Sequence, residues 1–396
     1  MPRVHGKAVG VLEAFDDESQ CFTFDQSYCD SLIDERPVLG QLFEDRFPAS
    51  IYVSGPISWF THLLPQGVMR QWRAKLLDLE EDDTFGLLEQ LGDNMPGAVT
   101  LVPAESVLRH AEAPIAKVDT SNDKMLRFSL AGAQWKLSAR SYGRGLTTGA
   151  SGDGKSLIAK FHAPEFPNLP RCEYATMNWA RLSGVNVAEY DLRKIDDFDA
   201  IPDELPPGNG EVYTVERFDR LNEKKIHIED FGQILDRPPG TAQYQGSYEE
   251  IARVLRWLAP ESGEEFLKLV AFCVVSGNGD AHLKNFSLMY PDTRNAVLTP
   301  AYDIVSTCLY YFPGHEKLAL SLDGSKAFER ITPDSFAGIA RGLEMDVQSG
   351  IQLAVDTCRV AMEAWNDRDV KRHYTTEQVE KMSTHIDSLP LARTCS

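Results

Sequence analysis

The segment VVSGNGDAHLKNF, residues 274–286, sets an aspartate, a histidine, a lysine and an asparagine directly behind an apolar stretch that ends at glycines. Asp280 and Asn285 stand in a D-x-x-x-x-N spacing, and a third oxygen-bearing side chain, Asp303, follows in LTPAYDIVST. That set suits phosphoryl transfer. One aspartate accepts the proton of an acceptor hydroxyl, while the amide oxygen five residues on and the downstream carboxylate hold magnesium against the phosphates of ATP. Mg²⁺ prefers such hard oxygens and keeps several of its waters, so two protein ligands suffice. The same residue types also cap turns, which leaves a purely structural reading open for Asp280, Asn285 and Asp303. His282 lies between them, but no second His or Cys stands at ligand spacing and the nine histidines are dispersed, so it is read as a neighbour of the transferred phosphate rather than a zinc ligand.

Phosphoryl transfer of this kind also asks for a lysine on an upstream strand and an acidic partner on the helix that follows. Lys160 sits in the apolar run SLIAKF, and Glu173 opens RCEYATMNWA about a dozen residues later, the order of a phosphate-pairing lysine and its orienting glutamate. Either one alone would pass for a surface charge; order and placement single them out. A competing motif, GASGDGKS at residues 149–156, satisfies the G-x-x-x-x-G-K-[ST] phosphate-loop pattern. A working loop of that type needs an apolar strand before it and a helix after it. Here a polar glycine-rich stretch precedes and the strand-like LIAKF follows, so the segment reads as a hairpin connection.

The elements that must position these residues fall into a β-rich half and an α-rich half. Residues 1 to about 115 mix strand-like runs (Lys7 to Leu12, Cys21 to Phe24) with a helical stretch from Trp59 to Leu79, followed by a solvated LEEDD run. From about 120 to 220 the runs KMLRFSL, AQWKLSA, SLIAKFH and EVYTVERF are short, partly alternating and separated by Gly- or Pro-bearing turns, which predicts a small antiparallel sheet with one helix from Cys172 to Leu182. Beyond Phe218 helices are predicted at Tyr248 to Trp257, Glu264 to Val275 and Phe336 to Leu343. A further helix from Val347 to Trp365 shows apolar residues at three- or four-residue steps, and a last one, near Gln378 to Leu389, is introduced by the capping box Thr375 and Gln378. The expected fold class is α+β and two-lobed, like a protein kinase: an extra N-terminal subdomain over 1–115, a β-rich lobe over 116–217, and an all-helical C-terminal lobe over 218–396.

Composition narrows the classes. At 396 residues with 43% hydrophobic and 25% charged residues, the chain can bury a full core without staples. Its seven scattered cysteines contain no C-x-x-C, which argues against a disulfide framework or a structural zinc site and for a reducing, cytoplasmic setting. No export signal is visible, and LVAFCVVS (269–276) is far too short to span a membrane. A formal charge of −19 repels phosphate backbones, so direct nucleic-acid binding is not expected.

Taken together the motifs resemble the HipA-type toxin kinases, serine/threonine kinases of bacterial toxin–antitoxin modules. SLAGAQWK (129–136) is similar to that family's glycine-rich loop, VERFDR (215–220) to its hinge, GNGDAHLKNF (277–286) to its catalytic loop and LTPAYDIVST (298–307) to its metal-binding segment. HGKAVGVLE, WFTHLLPQG and NMPGAVTLVP (94–103) look like its leading subdomain. The resemblance implies that Lys160 contacts the phosphates, that Glu216 and Phe218 hold adenine, that His282 lies beside the catalytic Asp280, and that Asn285 and Asp303 hold Mg²⁺. It also implies autophosphorylation of Ser129, a protein substrate of which an aminoacyl-tRNA synthetase is a family example by analogy, and a small helix-turn-helix, HipB-like antitoxin through which alone DNA is met. Two positions depart from the pattern. Trp135 stands where an acidic residue is usual, and Ile304-Val305 follow Asp303 in place of the Phe-Gly of ordinary kinases. The rival readings are a small-molecule kinase, which has no reason to place a serine at 129, and a decayed co-repressor, against which the intact Lys160, Asp280, Asn285 and Asp303 argue.

Overall fold

The computed structural model describes residues 1–92, 95–104, 134–142, 145–148, 154–199, 201–221, 224–311 and 314–394. The KMLRFSL run and Ser129 lie outside the described residues.

The N-terminal unit is built on two three-stranded antiparallel sheets. One orders Lys7–Ala8, Pro2–Val4 and Val99–Leu101; the other orders Gly10–Ala14, Gln20–Phe24 and Ile51–Val53. Phe22, Phe43, Trp59 and Phe60 pack edge to face in its interior and are almost wholly buried, geometry that adds to their large apolar area. The expected helix from Trp59 to Leu79 is two helices, Ser58–Thr61 and Val68–Leu76. Pro65 lies between them, and Gly67 (φ +56°), which an L side chain would strain to match, opens the second. At the end of the acidic LEEDD run, Asp83 caps the Thr84–Gln90 helix by accepting from the Gly86 N–H at 2.8 Å.

A five-stranded antiparallel sheet follows, ordered Tyr190–Lys194, Glu211–Glu216, Lys155–Lys160, Lys136–Tyr142 and Gly145–Thr148. Its register sets Lys136 and Tyr213 on either side of Lys160, so all three point to one face. The helix Leu169–Leu182 crosses that face, starting three residues earlier than the expected Cys172 because Pro170 suits a first helical turn. Its Trp179 donates to the Ala361 carbonyl at 2.7 Å and packs on Trp365, which ties this helix to Val347–Trp365 of the helical part.

The helical part is formed by Tyr248–Leu258, Gly263–Val275, Ala337–Gly342, Val347–Trp365 and Thr376–Ser388. Ser247 with Glu250 and Thr375 with Gln378 form reciprocal capping boxes at two of their starts. The expectation of an all-helical C-terminal lobe is corrected by a three-stranded antiparallel sheet of His227–Asp230, Ser287–Tyr290 and Val297–Leu298. These strands are two to four residues long, too short for length or alternation to distinguish them from helix or loop. Among the described residues no helix is long and apolar enough to cross a membrane.

Candidate active site

Lys136 and Lys160 are direct cross-strand neighbours, an arrangement that places two like charges side by side and is unfavourable without an anion between them. Asp303 is that anion. One carboxylate oxygen takes the Lys160 ammonium and the other takes Lys136 at 3.1 Å, while Lys160 is also paired with Glu173 from the Leu169–Leu182 helix. Burial would strip Lys160 of its proton, but Asp303 and Glu173 hold its pKa above the ordinary lysine value. Burial alone would raise the Asp303 carboxyl as well; the two ammoniums outweigh it and hold Asp303 well below the usual carboxylate range. Asp303 adopts φ +54°, the left-handed region that non-glycine residues seldom occupy. Lys136, the last residue of SLAGAQWK, received no role from sequence; the register of two strands 24 residues apart is what reveals it.

The motif at residues 277–286 leaves the Gly263–Val275 helix and is held by its own polar groups. The Asp280 N–H donates to Asn278 Oδ1 at 3.1 Å, the Asp280 carbonyl accepts from Asn285 Nδ2 at 2.7 Å, and Asp280 Oδ1 accepts from the Tyr244 hydroxyl at 3.0 Å. Burial pushes the Asp280 carboxyl up to about 7 despite the Tyr244 hydrogen bond. His282 is buried and pushed down to about 3, so its ring is neutral. Its Nδ1 accepts the Lys284 N–H at 3.2 Å, so Nε2 carries the hydrogen, and that buried donor has no hydrogen-bond partner among the described residues. Lys284 faces away from this group: its ammonium donates to His62 Nδ1 at 2.9 Å and Asp230 Oδ2 at 3.0 Å. Its carbonyl accepts from Tyr302, the neighbour of Asp303, at 2.8 Å.

The structure thus brings Lys160, Glu173 and Asp303 into contact, and Asp280 with Asn285. Glu216 lies at the end of its strand opposite Leu157, roughly 10 Å along the strand from Lys160 at 3.3 Å per residue, and its carboxylate takes Lys155 at 2.7 Å. The Phe218 ring stands against Tyr302, 5.4 Å between centroids. The competing phosphate-loop motif fails on context: Lys155 opens a strand, not a helix. Trp135 is accommodated by Trp72 of the N-terminal unit, the two rings packing edge to face at 5.5 Å.

Among the described residues no cluster of three or more His, Cys, Asp or Glu gathers into a cage for metal. What the site offers is the Asp303 carboxylate and an Asn285 amide whose nitrogen is committed to Asp280, which turns its oxygen elsewhere. Two hard oxygens suit Mg²⁺ that shares its remaining ligands with phosphate and water. The orphaned His282 Nε2–H beside them suits an anionic oxygen.

Sheet lysines, a helix glutamate and an Asp/Asn loop converge in the manner of a kinase, and comparison with known proteins narrows that class. Residues 3–102 match the HipA N-terminal domain and residues 128–365 the HipA-like C-terminal domain. The chain belongs to the HipA family. It is 32% identical over 400 residues, 99% of this chain and 97% of the other, to a Sinorhizobium fredii protein named "Putative kinase Y4dM". It is 27% identical over 308 residues, 68% of this chain and 67% of the other, to the serine/threonine-protein kinase toxin HipA of Shewanella oneidensis. Its fold is similar to that of a Shewanella oneidensis MR-1 chain solved in a complex of HipA, HipB and operator DNA, with a TM-score of 0.71, 21% identity and coverage of 100% of this chain and 96% of that one.

Proposed function

We propose that this chain is a serine/threonine protein kinase that transfers the γ-phosphate of Mg·ATP to a protein serine and acts as the toxin of a toxin–antitoxin pair. The single observation that supports this best is the Asp303 carboxylate held between Lys136 and Lys160, with Glu173 on the far side of Lys160. In this reading Lys160 is the phosphate-contacting cation, oriented by Glu173, and Lys136 is a second cation at the same anionic position. Asn285 and Asp303 hold magnesium, which when bound neutralises phosphate charge. Asp280, buried and poised near neutral pH, accepts the proton of the acceptor hydroxyl. The neutral His282 donates through Nε2 to a phosphate oxygen. Phe218 stands on the hinge side against Tyr302, where an adenine ring can stack, and Glu216 borders it.

Ser129 is the proposed site of autophosphorylation, since a fixed dianion there repels the phosphates of incoming ATP. The partner is a small basic helix-turn-helix antitoxin; a chain of net charge −19 leaves DNA contact to it. Calorimetry tests the nucleotide site: ATP binding should depend on Mg²⁺, and Asp303→Ala should weaken it at least tenfold. Equal affinity with and without Mg²⁺, or full affinity in Asp303→Ala, contradicts the assignment.

A further inference from the structure

We propose that Tyr244 is the positioning residue of the Asp280 carboxylate: its hydroxyl holds Oδ1 so that Oδ2 alone faces the acceptor. This rests on the kinase reading above and adds to it a residue that no motif pointed to. Tyr244 closes the short helical turn Thr241–Tyr244, 36 positions before the aspartate it serves.

The geometry restricts Asp280 from every side but one. Its N–H is committed to Asn278 and its carbonyl to Asn285, so the backbone is fixed and only the two side-chain torsions remain free. A carboxylate with no donor on it turns about the Cβ–Cγ bond and presents either oxygen. The Tyr244 hydroxyl at 3.0 Å from Oδ1 removes that equivalence, and Oδ2 accepts no hydrogen bond among the described residues.

Tyr244 is itself held at both ends. Its backbone carbonyl accepts from the Lys326 ammonium at 2.8 Å, and the same ammonium donates to the Ala319 carbonyl at 2.6 Å. Its ring meets the His282 imidazole edge-on, 4.7 Å between centroids. One aromatic side chain therefore touches both polar groups of the catalytic-loop motif that face the acceptor. A hydroxyl placed by packing at both ends keeps its hydrogen-bond direction through the reaction at little entropic cost.

During transfer the acceptor O–H bond breaks and its proton passes to Asp280 Oδ2. The acceptor oxygen bonds to the γ-phosphorus, and the bond from that phosphorus to the β–γ bridging oxygen breaks to leave ADP. Tyr244 keeps its own proton throughout.

Tyr244→Phe removes one oxygen and leaves the ring packing in place. Initial rates would be measured with γ-labelled Mg·ATP and a phosphatase-treated bacterial extract as the acceptor mixture, alongside wild type and Asp280→Asn. The expected result is a rate at saturating ATP about tenfold to a hundredfold lower, the loss that follows from one hydrogen bond to a charged group. The ATP concentration for half-saturation, and the affinity for a non-hydrolysable ATP analogue with Mg²⁺, should stay within twofold of wild type. A Tyr244→Phe rate within twofold of wild type overturns the proposal, as does a loss that appears in ATP half-saturation with the maximal rate unchanged. Those results with Asp280→Asn inactive remove only the role of Tyr244. A wild type that transfers no phosphate, or an Asp280→Asn variant as fast as wild type, removes the kinase reading and the proposal with it.

Discussion

Lys136 and Lys160 lie opposite each other on adjacent strands, and their repulsion is relieved by Asp303. Because Lys136 is partly exposed, its ion pair contributes little to folding, on the order of 0–1 kcal/mol; in the proposed site its role is toward the phosphates of ATP. Lys136→Met should therefore leave the melting temperature within about 2 °C, by the usual conversion for a chain of this size, while phosphoryl transfer falls roughly tenfold or more as one phosphate-facing charge is lost. Parallel melting curves and initial rates check this, and an active Lys136→Met protein would contradict the role. Ser129 belongs to the same scale: after long incubation with Mg·ATP, peptide mapping should find one added phosphate on Ser129 as activity declines, and phosphate found only elsewhere removes the proposed autophosphorylation of Ser129. The grouping of Asp280, His282 and Asn285 was legible in sequence because their contacts lie within one motif. Lys136 and Tyr244 were not, because their partners lie 167 and 36 positions away and only strand register and loop packing bring them together.

At the scale of elements, most helices were legible from apolar periodicity and caps: Val347–Trp365 has the expected bounds, and the Thr375–Gln378 capping box opens the last long helix. The small sheet in the helical part was not, because strands of two to four residues carry too short a pattern. That sheet sets an ionisable group where the N-terminal unit joins it. Glu229, on the His227–Asp230 strand, is buried and accepts from Trp59 Nε1 at 2.7 Å, the Gln41 N–H at 2.9 Å and the Tyr290 hydroxyl at 3.0 Å. Burial nevertheless pushes its carboxyl up to about 8 from an ordinary 4.5. A raised folded-state pKa stabilises fully below the unfolded value, and that contribution is lost as pH rises from about 4.5 through 8. Glu229→Gln, which keeps the shape and cannot ionise, should match wild type in melting temperature near pH 4. It should exceed wild type by several degrees near pH 8.5, as about 1 kcal/mol corresponds to about 2–4 °C in a large domain. Thermal melts across pH check it; parallel curves for the two proteins would show that Glu229 stays charged in the fold.

For the whole molecule, the N-terminal unit braces the two segments on which the proposed chemistry turns. At the 215–220 segment, buried Asp219 accepts from the Gly97 N–H at 2.9 Å and pairs with Arg217 and Arg220. Gly97, at φ +69°, has no room for a Cβ, which would come within 2.8 Å of the Ile228 nitrogen. Beneath residues 277–286, His62 of WFTHLLPQG takes the Lys284 ammonium and donates through Nε2 to the Arg237 carbonyl at 2.5 Å. The resemblance marked those stretches as family features, yet their contacts with residues 215–220 and 277–286 appear only in three dimensions. The kinase assignment is tested most directly by transfer of labelled γ-phosphate from Mg·ATP to protein by wild type and by Asp280→Asn, with analogue binding measured on both. It predicts robust labelling by wild type, a loss of at least a hundredfold in Asp280→Asn from removal of the base, and nucleotide affinity within twofold between them. Labelling by Asp280→Asn at the wild-type rate, or none by a wild-type protein that binds Mg·ATP, would contradict it.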